Sequence, residues 1–323
     1  MENHTDSDFI EVWNKFKSPV KVSEVLKINI RTVNYKRRRL EKKYNIQLEA
    51  TDERSKKFAN NIHLIKARHT GGIIDGTVLV FSDAHFWPNI RTTAFKGLLW
   101  AINTFKPVMV VNNGDAFDGA TISRYPRSQW QQRPSVRQEL DACKEYLKEI
   151  EDACYKVRHH TQLVWPLGNH DARLESRLSA MVPEFEGVTG LTLKDHFPKW
   201  SPCWSCWPTN NVVIKHRYKS GIHATHNNTV NAGLTIVTGH LHSLKVTPFD
   251  DYRGTRWGVD TGTLADTDGP QFLDYLEDSP TNWRSGFVVL TFKDGELLMP
   301  EIARKHSDGF IDFRGQLIGV SGY

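Results

Sequence analysis

Apolar positions in the first fifty residues recur every three or four places. Phe9, Ile10, Trp13 and Phe16 have helical spacing, and Ser18-Pro19 breaks the run. KVSEVLK predicts a second short helix. INIRTVNYKRRRLEKKYN predicts a third, with Asn29 as N-cap and Ile30, Val33 and Leu40 on one side. Residues 1–50 are therefore expected to form a small all-α module. Residues 51–72 are largely polar, end in Gly71-Gly72 and predict a linker.

The pattern then changes to apolar runs alternating with amphipathic stretches. TVLVFSD (77–83), VMVVNNGD (108–115), TQLVWPLGN (161–169), NVVIKH (211–216) and LTIVTGH (234–240) predict buried strands. TTAFKGLLWAINTF (92–105) predicts a helix with Phe95, Leu98, Leu99, Ile102 and Phe105 on one face. Residues 135–157 predict a longer one, with Val136, Leu140, Cys143, Leu147, Ile150 and Cys154 inward. GFVVLTFKDGELLMPEI predicts a hairpin turning at Asp294-Gly295. Strands alternating with helices place residues 73–323 in the α/β class.

Charge changes the picture at the N-terminus. Residues 1–68 hold 16 basic and 9 acidic residues, a balance of +7, whereas the remainder has 26 basic and 28 acidic, a balance of −2. A polyanion is the natural partner of the first segment. Its order of helix, short helix, turn and basic helix is that of a helix-turn-helix, with Lys27 where a turn glycine is usual. Arg31, Lys36, Arg37 and Arg38 are the expected nucleic-acid contacts. The plainer reading of KRRRLEKK is a solvated basic face.

Chemistry gathers where the predicted strands end. The first ends at Asp83, with His85 two residues on; the second at Gly114-Asp115, with Asp118 behind; the third at Gly168-Asn169-His170-Asp171; the fourth at His216; the fifth at Gly239-His240, with His242 following. Open α/β sheets place their sites at the carboxyl ends of strands, so these residues can converge. Mixed oxygen and imidazole donors suit two divalent ions such as manganese, iron, zinc, nickel or cobalt, manganese being the expected pair. Gly114, Gly168 and Gly239 would let the backbone turn beside them.

This ordered set resembles the calcineurin-like metallophosphoesterases. The resemblance implies a four-layer αββα sandwich behind the small all-α module. It implies that Asp83, His85 and His242 hold one metal, that Asn169, His216 and His240 hold the other, and that Asp115 bridges them. A hydroxide bridging the metals would attack phosphorus. His170 would act beside the scissile phosphate with Asp171 orienting it, and Asp118 would stand behind the ligands. The family has Gly after the fourth-motif histidine, where Arg217 stands here, and His223 and His226 lie close by. His216 is preferred because it follows a clear strand; Arg217 is an alternative phosphate contact.

Loops after the second motif offer Tyr125 and Trp130 for stacking and Arg124 and Arg127 for phosphate, or else pack onto the sheet. Cys203 and Cys206 in PCWSCW would be half of a zinc site whose other half is missing. Four cysteines make no disulfide framework, and neither a secretory signal nor a membrane span is expected, so the expected compartment is the cytoplasm. The expected function is a phosphodiesterase or nuclease acting on DNA or RNA, resembling bacteriophage and prophage phosphoesterases. A protein or nucleotide phosphomonoesterase is the alternative, and a non-catalytic DNA-binding protein comes last.

Overall fold

A computed structural model describes residues 5–48, 65–124, 133–273 and 280–323. The chain separates into two units, Met1–Leu64 and Ile65–Tyr323. In the first, α1 (Asp6–Phe16) is opened by a capping box between Thr5 and Asp8. Helix α2 (Pro19–Leu26) begins at the proline itself, whose fixed φ suits a first helical position. Lys27 then takes a left-handed conformation (φ 50°) in place of the expected glycine, and the Asn29 side chain accepts from the Arg31 N–H to open α3 (Ile30–Tyr44). Phe9, Trp13, Val22, Leu26, Val33, Leu40 and Leu48 form a core of their own. Asp6 ties α1 to α3 through Arg39 (2.9 Å) and Lys43 (2.8 Å).

The second unit runs β1 (Lys66–Thr70), β2 (Gly76–Phe81), α4 (Thr93–Phe105), β3 (Met109–Asn112), α5 (Val136–Val157), β4 (Gln162–Pro166), α6 (Arg173–Met181) and α7 (Leu193–His196). It continues with β5 (Ser201–Thr209), β6 (Val212–Ile214), α8 (Ala224–Ala232), β7 (Thr235–Thr238), β8 (Lys245–Asp251) and β9 (Gly254–Asp260). It closes with β10 (Gly286–Lys293), β11 (Glu296–Leu297), β12 (Glu301–Ser307), β13 (Phe310–Phe313) and β14 (Gln316–Gly319). Asp294 (φ 51°) and Gly295 (φ 80°) make the expected hairpin turn between β10 and β11.

The strands form one hydrogen-bonded path, β14-β13-β12-β10-β2-β3-β4-β5-β6-β7-β9-β8. It doubles over at β5. Ser201–Cys203 pair with β4 in parallel, and Cys206 and Thr209 pair with β6 antiparallel, so one strand serves both halves. Val78, Val80, Val111, Val164 and Val288 from one half share a buried cluster with Ile214, Val237 and Val259 from the other. The alternate residues Leu79, Phe81 and Val110 face out and are covered by α4 and α5. Helix α8 covers the second half, so close that a Cβ on Gly258 would stand 2.0 Å from the Thr225 carbonyl. The layers are helix, sheet, sheet, helix.

One expectation is corrected here, and one open question is closed. Residues 66–70 are not linker but strand β1, paired with β5 and braced by Arg68 over the Trp207 ring (4.6 Å). Its sequence KARHT carries no apolar alternation, because it is an exposed edge. Cys203 and Cys206 are no half-site: both are buried in the cluster between the half-sheets, where burial pushes the Cys203 thiol up to about 12. None of the described helices is long and apolar enough to cross a membrane.

Candidate metal centre

The parallel strands β2, β3, β4, β6 and β7 all deliver their carboxyl ends to one place. Within it, Asp83, His85 and His242 bring donor atoms within 4.8 Å of one another, and so do Asp115, His216 and His240. A third such group, His85, Asp115 and His170, links them. His242 Nε2 lies 3.0 Å from Asp83 Oδ1, and His216 Nε2 lies 3.0 Å from Asp115 Oδ2. His216 is held from behind by the Asn113 carbonyl (2.8 Å from Nδ1). His223 and His226 stay outside: both are exposed around the start of α8, and His226 packs on Phe249.

The backbone is bent to make this meeting possible. Asp83 (φ 52°), His85 (39°), Asp115 (55°), His240 (72°) and His242 (56°) all sit in the left-handed region, which non-glycine residues avoid. Neighbouring backbone groups hold them there: Asp83 N–H donates to the Gly114 carbonyl (2.8 Å), His85 N–H to Asp115 (3.0 Å), and His240 N–H to Asp83 Oδ2 (2.9 Å). Gly168 and Gly239 have a different role from the expected turning. A Cβ on Gly168 would lie 2.0 Å from Asp115 Oδ1, and one on Gly239 2.7 Å from Asp83 Oδ2, so both clear space for a carboxylate. Of the three glycines, only Gly114 has positive φ (90°).

The donor set fits divalent cations. His85 Nε2, Asn169 Oδ1 and His242 Nδ1 are buried polar atoms with no hydrogen-bond partner among the described residues. Such orphans are costly unless something meets them. Burial holds His85 below the usual imidazole range and His240 at about 4, so both rings are neutral donors. Asp83 stays ionised against its burial, its carboxyl drawn to about 2 by His242 and His216. Burial works against a charged His216 too, but the Asp115 and Asp83 carboxylates raise it to about 10.

One assigned partnership is corrected. His170 is oriented by Asp118, not by Asp171: its Nδ1 lies 2.8 Å from Asp118 Oδ1, and His85 Nδ1 lies 2.9 Å from the same oxygen. Asp171 instead accepts from the N–H groups of Asp115, Ala116, Phe117 and Gly168 and from the Trp165 indole. A carboxylate facing five donors ties the β3 and β4 loops together and has no oxygen turned to the imidazole.

Sequence reasoning passed over three groups. Ser82 Oγ bonds Asp83 Oδ2 and the Thr261 hydroxyl (2.5 Å). Glu139 on α5 accepts from Gly119 N (2.6 Å) and Ala120 N (3.1 Å), fixing the loop that carries Asp118. Arg173, the first residue of α6, reaches His170 Nε2. Its place one helical turn beyond His170 was the available signal. Arg124 is exposed past the short turn Ala120–Ile122, whereas Arg127, Tyr125 and Trp130 lie outside the described residues.

The calcineurin-like phosphoesterase family model matches residues 76–254. Similar solved structures include Vps29 from Chaetomium thermophilum, 11% identical, covering 75% of this chain and 97% of that one, with a TM-score of 0.38. Another is a dimetal phosphatase from Danio rerio, 10% identical, covering 77% and 99%, with a TM-score of 0.33. No curated protein matches. The family match takes in more than half of the chain and runs from before Asp83 to beyond His242. The chain therefore belongs to the calcineurin-like phosphoesterases, and it is a metal-dependent hydrolase of phosphoesters.

Proposed function

We propose that this hydrolase is a phosphodiesterase of DNA or RNA, with residues 1–50 holding the polymer and residues 73–323 cutting it. The observation that carries the reading is the outward face of α3. Arg31, Tyr35, Arg38 and Lys42 are exposed and share one side of the helix. Arg31 and Arg38 form no ion pair among the described residues. Lys36 and Arg37, the other two expected contacts, turn inward: Lys36 stands over the Phe9 ring (5.5 Å), and Arg37 over Trp13 (4.9 Å) with a bond to Glu41 (3.0 Å). The α3 face in contact with a polyanion is therefore Arg31, Tyr35, Arg38 and Lys42, a helix-turn-helix arrangement in which α3 enters the major groove.

In the catalytic unit, Asp83, His85 and His242 would hold one cation, Asn169, His216 and His240 the other, and Asp115 both. Two bound divalent ions, manganese in our assignment, would supply Lewis acidity and a water of lowered pKa. Asp118 accepts from Nδ1–H of both His85 and His170, which fixes their tautomers and turns both Nε2 atoms toward the centre. His170 Nε2 lies 3.9 Å from Asp115 Oδ2, so it stands where a scissile phosphate would enter and, in its imidazolium form, can give a proton to the leaving oxygen. Phe272 packs on both His85 (5.1 Å) and His242 (5.3 Å), closing one side against water. Arg124, exposed beyond the Asp118 loop, would meet a neighbouring phosphate of the polymer.

The test uses full-length protein reconstituted with manganese, offered single- and double-stranded DNA, RNA and paired aryl mono- and diesters, with Asp115→Asn as control. Cleavage of polymer and diester by the wild type alone is the expected result. Cleavage of the monoester alone would overturn the reading in favour of a phosphomonoesterase.

A further inference from the structure

We propose that Arg173 is the cationic group that binds the substrate's phosphate at this centre. It is held at both ends of its guanidinium. Nη1 donates to the Asp118 carbonyl at 2.8 Å, and Nη2 lies 3.1 Å from His170 Nε2. That Nε2 is the edge of His170 turned toward Asp115, so the guanidinium sits at the same mouth. The His170 ring cannot rotate away, because Asp118 holds its Nδ1.

The chain makes room for this side chain. Gly119 has φ +63°, and a Cβ there would press on Arg173 Cβ and Cδ, each 3.3 Å away. The stem of Arg173 therefore runs across a bare glycine. Glu139 clamps that glycine by accepting its N–H, so the Asp118 carbonyl is fixed in turn. The Arg173 side chain is only 14% exposed, and a buried long side chain at a helix start must be positioned by something. Two of its fixtures, the Asp118 carbonyl and the bare Gly119, belong to the loop that carries Asp118.

A guanidinium presents parallel N–H groups that match two oxygens of a tetrahedral phosphate. An imidazole nitrogen is at best a neutral acceptor for the guanidinium, and a phosphate oxygen is the stronger one. On substrate entry Nη2 passes from His170 to a non-bridging oxygen, while Nη1 keeps the Asp118 carbonyl. His170 Nε2 is released toward the leaving-group side at the same moment. Arg173 thus neutralises charge on phosphate where no metal donor lies, and hands His170 to the substrate. The inference rests on phosphoester hydrolysis at this centre and not on the choice between polymer and monoester.

The experiment compares wild type with Arg173→Ala, Arg173→Gln and Arg173→Lys as full-length proteins. Bound manganese, affinity for inorganic phosphate in the manganese-loaded protein, and kcat and KM on the aryl ester the wild type cleaves are measured separately. The expected result is unchanged manganese content, with phosphate affinity reduced roughly 10- to 100-fold in the Ala and Gln variants. KM should rise with it, Lys should recover part of the affinity, and millimolar guanidinium should restore binding to the Ala variant. Arg173→Gln keeps the stem on Gly119, so it serves if the Ala variant does not fold. Unchanged phosphate affinity, or manganese lost together with activity, would overturn the proposal. Failure to cleave nucleic acid would touch only the substrate reading and leave these readouts intact.

Discussion

At the scale of single residues, Gly168 is the most exposed to test. Any side chain there meets Asp115 Oδ1 at 2.0 Å and Asp115 N at 2.6 Å. Gly168→Ala should displace the shared carboxylate and cut turnover roughly 100-fold, with manganese content falling in the same protein. His216 supplies a pH signature. Its folded pKa of about 10 lies above the ordinary 6.5, so the folded chain keeps a proton that the unfolded chain loses between those values. Its contribution is complete below 6.5 and disappears as pH rises toward about 10. Chelator-treated protein should therefore lose stability across that window, by up to about 1.4 kcal/mol per pH unit from one proton. Thermal melts of His216→Asn should show a flatter slope, and an equal slope in both proteins would refute the assignment. Manganese binding should tighten with pH over the same range, because the proton must leave. That Asp83, His85, Asp115, His216, His240 and His242 would meet was legible in the sequence because each lies at or just past the end of an apolar run. The partnership of His170 with Asp118 was not, since it depends on how the β3 and β4 loops pack, and adjacency pointed to Asp171.

At the scale of elements, α3 separates two kinds of basic residue that look alike in KRRRLEKK. Arg38→Ala should lower the slope of log affinity against log salt for nucleic acid by about 1 and leave stability alone. Arg37→Ala should do the reverse, costing on the order of 1 kcal/mol through Trp13 and Glu41 with the salt slope unchanged. Salt-titrated binding and denaturant melts of the two variants decide it. The strands that periodicity revealed, β2, β3, β4, β6, β7 and β10, are buried on both faces or nearly so. Those it missed have other constraints. β5 carries Pro202 and Pro208 and changes partner midway, and β8 is an edge whose Pro248 faces Trp257 on β9. A residue pattern tuned to a corner or an edge does not alternate.

At the scale of the whole molecule, the charge asymmetry along the chain coincides with the division into units. The N-terminal unit has its own core of seven buried side chains and the basic excess, and the larger unit has the metal centre. That division was legible because composition and period change together. What the chain did not disclose is that its sheet is a single path folded upon itself at β5. The two proposed ion sites each draw on both halves of that fold. Asp83, His85, Asp115 and Asn169 follow strands of one half, while His216, His240 and His242 follow strands of the other. The ions would then be rivets across a seam as well as reagents. Scanning calorimetry should show the larger unit melting as one block when loaded with manganese. Stripped of it, the same block should melt at a lower temperature, held across the seam by β5 and by the buried cluster the two half-sheets share.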